Sequence, residues 1–321
     1  MGAQRKTIRR VLRAKVAEWI DSIEDNELQK LARRDTIITG GAIASLLLGQ
    51  APNDFDVYFK TKETALAISR YYIEQFSKTS SHVITLKEDN FTNIDGESEE
   101  RIFIQVSSSG VAGQTEEDVN EREEEAELAD LLRDAGSKLP PLAAPDAADE
   151  PDSPEVKRYQ PTFISQNAIT LSNKVQLIIR FFGSPDEIHK NYDFIHCQNW
   201  YTYQDDVLEL KPEALEALMS KSLVYTGSLY PICSLLRVRK FLKREWKINA
   251  GQILKMAIQC KKIDFTDARV LSDQLNGCDS HYFNMLIRAM HAPVLDGDGE
   301  AVPRELSESY VVELIDRIFG H

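Results

Sequence analysis

The run from Thr36 to Phe59, TIITGGAIASLLLGQAPNDFDVYF, constrains the fold more than any other part of the chain. Its short β-branched start, TIIT, is typical of a buried strand. Gly40 and Gly41 then predict a turn at which the backbone can approach a ligand closely, and residues 42–48 predict a short helix. A strand, a glycine turn and a helix N-terminus in succession suit a phosphate group.

Two aspartates follow in the next predicted strand, separated only by Phe55. Because side chains alternate along a strand, Asp54 and Asp56 lie on the same face. Two carboxylates so close repel each other unless a cation lies between them. Mg²⁺ and Mn²⁺, which prefer oxygen ligands, are the cations that such a pair indicates. A glycine turn for a triphosphate beside a carboxylate pair for its metal predicts in-line attack on an α-phosphate.

GGAIASLLLG followed by NDFDVYF resembles the signature of the polymerase-beta-type nucleotidyltransferase superfamily, and the spacing is most similar to its CCA-adding and poly(A) polymerase branch. The resemblance implies that Gly40 and Gly41 hold the phosphates of the incoming nucleotide. It further implies that Asp54 and Asp56 bind two metal ions, Mg²⁺ or Mn²⁺, and that a third carboxylate on a later strand completes the site.

The chain departs from that branch at the residues after the glycine turn. An Arg-Asp pair typically follows the two glycines in the branch, whereas this chain has Ala44 and Ser45. The helical half also lacks a counterpart of the branch's nucleotide-templating motif. The resemblance therefore implies the catalytic core and leaves open which base is transferred.

Asp193 is the predicted third carboxylate, because it lies between two aromatic residues in NYDFIHC, a run that predicts a strand. Asp186 and Glu187 are the alternatives. Their surroundings, GSPDEIHK, predict a polar turn, in which carboxylates are usually solvated. The predicted catalytic and metal-binding set is Asp54, Asp56 and Asp193.

An acidic stretch interrupts the region that carries these residues. The formal net charge of the chain is −13, and residues 116–155, with 15 acidic and 3 basic side chains, hold −12 of it. This stretch has few large apolar side chains to bury, which predicts a disordered insertion over 108–158. Strand patterns at 101–107, 167–171 and 174–182 indicate that the insertion splits one domain.

The order of predicted elements indicates the fold class. Two helices precede residue 36, helices and strands alternate up to residue 211, and helical periodicity dominates from residue 212 onward. We therefore predict an α+β protein: an α/β-type nucleotidyltransferase core with a mixed sheet, followed by a mostly helical C-terminal domain. The predicted divisions are N-terminal helices at 1–35, the catalytic core at 36–211 and the helical domain at 212–321.

Composition and charge limit the partners. No apolar segment approaches the roughly 20 residues needed to span a bilayer, so we expect no membrane partner. Four scattered cysteines predict reduced thiols in a cytoplasmic protein. Outside the acidic stretch the chain is nearly neutral, and the basic side chains at 237–247 could bind a triphosphate or an RNA backbone or could simply be solvated.

Together these features predict a pyrophosphate-releasing nucleotidyltransferase that moves a nucleoside monophosphate from a nucleoside triphosphate to an acceptor hydroxyl. The resemblance implies an RNA 3′ end, such as that of tRNA, as the acceptor. Two alternatives stay open. The acceptor could be a protein or a small molecule, or the chain could be a binding or regulatory protein that keeps the fold without turnover.

Overall fold

The computed structural model describes residues 4–78, 83–92, 96–106, 159–267 and 306–319, with scattered positions between 270 and 302. The predicted insertion at 108–158 lies outside the described residues. Among these described residues, the helices are α1 (Arg5–Asp21), α2 (Asn26–Asp35), α3 (Gly41–Leu47), α4 (Lys62–Ser77), α5 (Pro185–His189), α6 (Pro212–Ser220), α7 (Pro231–Lys243), α8 (Ala250–Cys260) and α9 (Glu308–Phe319).

The strands of the described part of the chain divide among three sheets. In chain order they are β1 (Thr36–Thr39), β2 (Phe55–Phe59), β3 (Ile84–Thr92), β4 (Ser98–Val106), β5 (Pro161–Ile164), β6 (Ala168–Leu171), β7 (Val175–Phe182), β8 (Trp200–Thr202), β9 (Val207–Glu209), β10 (Val294–Leu295) and β11 (Ala301–Val302).

A seven-stranded mixed sheet positions the carboxylate strand β2 near its middle. Its order is β5, β6, β7, β2, β1, β8, β9, and only β2 and β7 pair in parallel. In the register of β2, Val57 lies opposite Ile38 of β1, and Asp56 lies opposite Gln176 of β7. Because strands flank β2 on both sides, two hydrogen-bonded ladders hold this strand, and Asp56 itself pairs within the β7 ladder.

The hydrophobic core lies between this sheet and the N-terminal helices. All four residues of β1 are buried, as its β-branched sequence predicts. Helix α1 buries a stripe at three- and four-residue spacing, and Trp19 of that stripe also donates a hydrogen bond of 2.9 Å to the Tyr72 hydroxyl of α4. The basic side chains of α1 therefore lie on the outside of a packed helix.

This architecture confirms the predicted fold class, with a mixed sheet followed by a helical C-terminal part. The boundaries of the predicted domains stay a prediction. The predicted strand in the run NYDFIHC is wrong: residues Ile195–Cys197 form a 3₁₀ turn, and Phe194 makes one isolated bridge with Tyr225. The pairing with the segment at 222–226 does not extend beyond this bridge. The aromatic and β-branched pattern is therefore not enough to form a strand here.

The predicted polar turn around Asp186 and Glu187 is also wrong, since both belong to the short helix α5. Ser184 and Glu187 form a capping box: each side chain binds the backbone of the other residue.

The expectation of reduced thiols is wrong for Cys233, which is disulfide-bonded. Among the described residues, no helix has the length and apolar content that crossing a bilayer requires.

Asp35 joins the end of α2 to the start of α4, and we expect Asp35→Asn to destabilise the protein. The Asp35 carboxylate is buried and accepts hydrogen bonds from Arg34, Thr61 and Thr64. Burial alone raises the pKa of Asp35, but these hydrogen bonds outweigh it and lower the pKa below its ordinary value of 3.8. Losing the charge should cost roughly 2 kcal/mol of unfolding free energy.

Thermal denaturation at neutral pH measures this loss. Because the folded pKa of Asp35 is lower than the unfolded pKa, its stabilisation is present above about pH 4 and is lost as the pH falls further. Asp21→Asn, at an exposed ion pair with Arg33, is the control and should change stability by less than about 0.5 kcal/mol. Equal melting temperatures for the two variants would contradict the role of Asp35.

Candidate active site

The glycine turn and the carboxylate pair touch each other. Gly40 has a φ of +89° and donates its N–H to the Cys197 carbonyl at 3.1 Å. A Cβ atom on Gly40 would lie 2.9 Å from Oδ2 of Asp56 and 3.3 Å from the Tyr192 hydroxyl oxygen. Both the backbone angle and the lack of space therefore require glycine here. Gly41 differs, because a Cβ atom there would have no neighbour within 4 Å.

This difference gives two substitutions with opposite expected effects. Gly40→Ala forces a residue with a side chain into a positive φ and against Asp56, so we expect a loss of roughly 1–2 kcal/mol in unfolding free energy. Gly41→Ala has room for its methyl group in the free protein and should melt at the wild-type temperature or slightly above. If a triphosphate lies on the turn, that methyl group should reduce nucleotide affinity at least about tenfold.

Thermal denaturation and calorimetric titration with each nucleoside triphosphate in Mg²⁺ separate the two effects. Wild-type nucleotide affinity in Gly41→Ala would show that the phosphates do not approach the turn.

Asp54 and Asp56 form a pair of carboxyl groups, and the protein disfavours the ionised form of both. Burial raises the pKa of Asp56 to about 7; the charge of Asp54 adds to the rise, and Arg237 opposes it. The pKa of Asp54 is raised too, because protein atoms around its carboxyl group displace water. The residue as a whole is nevertheless exposed. Lys240 and Lys174 oppose this rise.

The chemistry of this pair fits one divalent cation. Two close oxygen donors that lack sufficient counter-charge are what a hard cation needs, and Mg²⁺ is often bound by one or two carboxylates together with substrate phosphates. Within the part of the chain that the structure describes, no three His, Cys, Asp or Glu side chains come close enough to hold a metal ion.

Asp193 lies near the pair but is bound to another residue. Its side chain is 11% exposed, and its Oδ2 accepts a hydrogen bond of 2.8 Å from Nη1 of Arg237 on α7. Burial raises the pKa of the Cys197 thiol, and the charges of Asp193 and Asp56 raise it further. The two carboxylates thus act on the same thiol. The role of Asp193 as third metal ligand stays a prediction.

The alternative acids, Asp186 and Glu187, have other partners. Glu187 accepts hydrogen bonds of 2.7 Å from both the backbone N–H and the hydroxyl of Ser184, which lower its pKa. The Asp186 side chain is 82% exposed and lies 3.5 Å from Lys211. The first acid caps a helix, and the second is a solvated ion pair.

Thr39 and His189 support the glycine turn, and the sequence analysis missed both. The Thr39 hydroxyl donates its one hydrogen to the Asn199 carbonyl at 2.8 Å. In its contact of 2.7 Å with His189, the same hydroxyl is therefore the acceptor, and the His189 Nε2–H is the donor. Burial lowers the pKa of His189 to about 4, helped by Lys211, so the ring is neutral at physiological pH. A threonine buried directly before the glycines was the available signal, because a buried hydroxyl needs partners.

A comparison with known protein families identifies the chain. The model described as "Gabija anti-defense 2 family protein" matches residues 10–221, which is more than half of the sequence. The chain belongs to the Gabija anti-defense 2 family. The matched range of this family member contains the glycine turn, the Asp54/Asp56 pair and Asp193.

Two other proteins are similar to this family member. The Gabija anti-defense 2 protein of Bacillus phage SPbetaL7 is 26% identical over 106 residues, which is 32% of this chain and 26% of the phage protein. The match thus spans about a quarter of that relative. Among solved structures, a Thermotoga maritima CCA-adding enzyme complexed with tRNA aligns with a TM-score of 0.38 and 12% identity, over 94% of this chain and 68% of the enzyme. Membership in the polymerase-beta-type superfamily stays a prediction.

Proposed function

We propose that this Gabija anti-defense 2 family member is a metal-dependent nucleotidyltransferase, which moves a nucleoside monophosphate from a nucleoside triphosphate to an acceptor hydroxyl. The observation that carries the proposal is the close approach of Asp56 to the glycine turn, where Oδ2 leaves only 2.9 Å for a Cβ atom on Gly40. The turn that would bind phosphates and the carboxylates that would bind their metal are parts of one site.

The residues have separate roles in this proposal. Gly40 and Gly41 let the triphosphate approach the backbone. Asp54 and Asp56 would hold Mg²⁺ or Mn²⁺, which when bound neutralises the developing charge on the pyrophosphate. Lys240 and Lys174, whose charges act on Asp54, add positive potential near this carboxylate. An anionic triphosphate would therefore enter a site with nearby cations.

The raised pKa of Asp56 predicts that cation binding depends on pH. A proton and a cation compete for this carboxylate, whose pKa is about 7 without metal. The apparent affinity for Mn²⁺ should therefore fall up to about tenfold for each pH unit below 7 and level off above it. Titrating the full chain with Mn²⁺ between pH 5.5 and 8.5 measures the slope. An affinity that does not change over this range would contradict Asp56 as a ligand.

We propose an RNA 3′ end, such as that of tRNA, as the first acceptor to test, on the strength of the sequence motif. Family membership favours a second candidate, because the family is described as acting against the Gabija defence system. In that case the acceptor hydroxyl belongs to a protein or another component of that system. Either reaction would take place in the cytoplasm.

One labelling experiment separates these candidates. The protein is incubated with each α-labelled nucleoside triphosphate, Mg²⁺, a mixed RNA pool and Gabija proteins, and label is sought in RNA, in protein and in small molecules. Asp54→Asn is the control that should remove all transfer. Absence of label with every nucleotide would overturn the proposal and favour a binding protein that keeps the fold without turnover.

A further inference from the structure

The predicted third carboxylate is already neutralised within the protein. Asp193 is one of the buried charged residues, and the Arg237 guanidinium lies 2.8 Å from its carboxylate. The backbone around Asp193 is fixed as well, since its carbonyl accepts a hydrogen bond of 2.9 Å from Thr226 and the next residue, Phe194, bridges to Tyr225. To bind a metal, Asp193 would have to give up a charge-assisted hydrogen bond in a buried place.

Arg237 keeps donors available on its other side. Its side chain is 46% exposed, and within the described part of the chain Asp193 is its only hydrogen-bond acceptor. Its positive charge also acts on Asp56, where it opposes the rise in pKa that burial causes. The same guanidinium thus pairs with the third carboxylate and lies within electrostatic reach of the pair that would hold the cation.

We propose that the site binds a single divalent cation on Asp54 and Asp56, and that Arg237, anchored by Asp193, supplies the positive charge expected from a second metal ion. Arg237 is then a residue that binds the anionic oxygens of the substrate, and Asp193 is a positioning residue that acts through it. This inference rests on the proposed function, because it assumes the Asp54/Asp56 cation site.

Guanidinium chemistry suits this role. An arginine stays charged at every physiological pH, and its planar set of N–H donors matches the oxygens of a phosphate group. One donor is used by Asp193, so others can bind an anion beside the Asp54/Asp56 pair. A metal ion in the same place would need a third carboxylate that is free to coordinate. The carboxylate of Asp193 instead accepts a hydrogen bond from Arg237.

The number of Mn²⁺ ions bound per full-length chain tests the proposal. Free Mn²⁺ is measured by electron paramagnetic resonance during titration at pH 8, without nucleotide. The acidic residues at 116–155 can bind Mn²⁺ weakly, so the Asp54→Asn/Asp56→Asn double variant supplies the baseline to subtract. We expect one ion per wild-type chain. Asp193→Asn should still bind one ion, with affinity within about threefold of wild type.

Arg237→Gln provides the converse test, because it frees the Asp193 carboxylate. We expect this variant to bind a second Mn²⁺ ion, and Arg237→Gln/Asp193→Asn to return to one. The double variant leaves no buried unpaired charge, so it keeps the test usable if Arg237→Gln alone unfolds. Arg237→Lys retains a positive charge and should bind one ion.

The results separate this inference from the proposed function. One ion in wild type and in Asp193→Asn supports the inference. Two ions in wild type, one of them lost in Asp193→Asn, would overturn it and leave the metal-dependent transferase standing with Asp193 as its third ligand. Wild-type binding at the baseline level would overturn both, because the Asp54/Asp56 pair would then hold no cation.

Discussion

Asp56→Asn is expected to abolish nucleotidyl transfer and at the same time to stabilise the metal-free protein. The amide keeps the shape of the side chain but cannot hold a divalent cation as a carboxylate does. Turnover should fall by roughly three orders of magnitude or more, as expected for the loss of a group that acts in the transition state. Asp54→Asn should cause a similar loss, because the two carboxylates act as one site.

The stability gain follows from the direction of the pKa shift. The carboxyl of Asp56 has an ordinary pKa of 3.8 and a folded pKa of about 7, so the folded state binds this proton more tightly than the unfolded state. Wild-type stability therefore falls as the pH rises from about 4 to 7 and stays reduced above that. The reduction is at most roughly 4 kcal/mol, and Asp56→Asn removes it.

Thermal denaturation at pH 5 and pH 8 in a chelator, with transfer assayed in Mg²⁺, tests both parts of this prediction. The variant should exceed wild type more at pH 8 than at pH 5. Adding Mg²⁺ should raise the melting temperature of wild type and leave that of the variant unchanged. Asp35→Asn is the internal contrast, since its lowered pKa predicts a loss of stability. Near-wild-type transfer by Asp56→Asn would rule out the catalytic assignment.

The sequence predicts the centre of the candidate site because its determinants are local. Alternation along β2 separates Asp56 from the core residues Phe55 and Val57, and positive φ at Gly40 requires a residue without a side chain. These rules act over a few residues, so they can be applied to the sequence before the fold is known. The Ser184–Glu187 capping box was equally local and marked the start of α5, which was predicted as a turn instead.

The rest of the site depends on contacts between distant parts of the chain. Arg237 and Asp193 are 44 residues apart in sequence, and Thr39 and His189 are 150 apart. A basic residue on an amphipathic helix predicts only an exposed side chain, and nothing near Arg237 in sequence shows that it points toward a buried carboxylate. The pairing is set by how α7 packs, so the family resemblance and the aromatic neighbours of Asp193 could only predict a metal ligand there.

Arg237→Gln should lower turnover by about 100-fold, the scale of removing one preorganised donor from developing charge. Asp193→Asn should lower it less, by about tenfold, because the guanidinium remains present but loses its anchor. The double variant should be no slower than Arg237→Gln alone, since both residues serve one interaction and their effects do not add. Arg317→Gln, at an exposed arginine of α9, is the matched control and should turn over at the wild-type rate.

Steady-state kinetics with varied nucleotide, together with urea denaturation of each variant, measure these effects and show whether the protein remains folded. If Asp193 is instead a metal ligand, the order reverses. Asp193→Asn would then cost several orders of magnitude at unchanged nucleotide affinity, and Arg237→Gln would cost little beyond stability. The ranking of two single substitutions therefore decides whether the third carboxylate in this site binds a metal ion or holds an arginine, because the two roles make opposite demands on the same 2.8 Å contact.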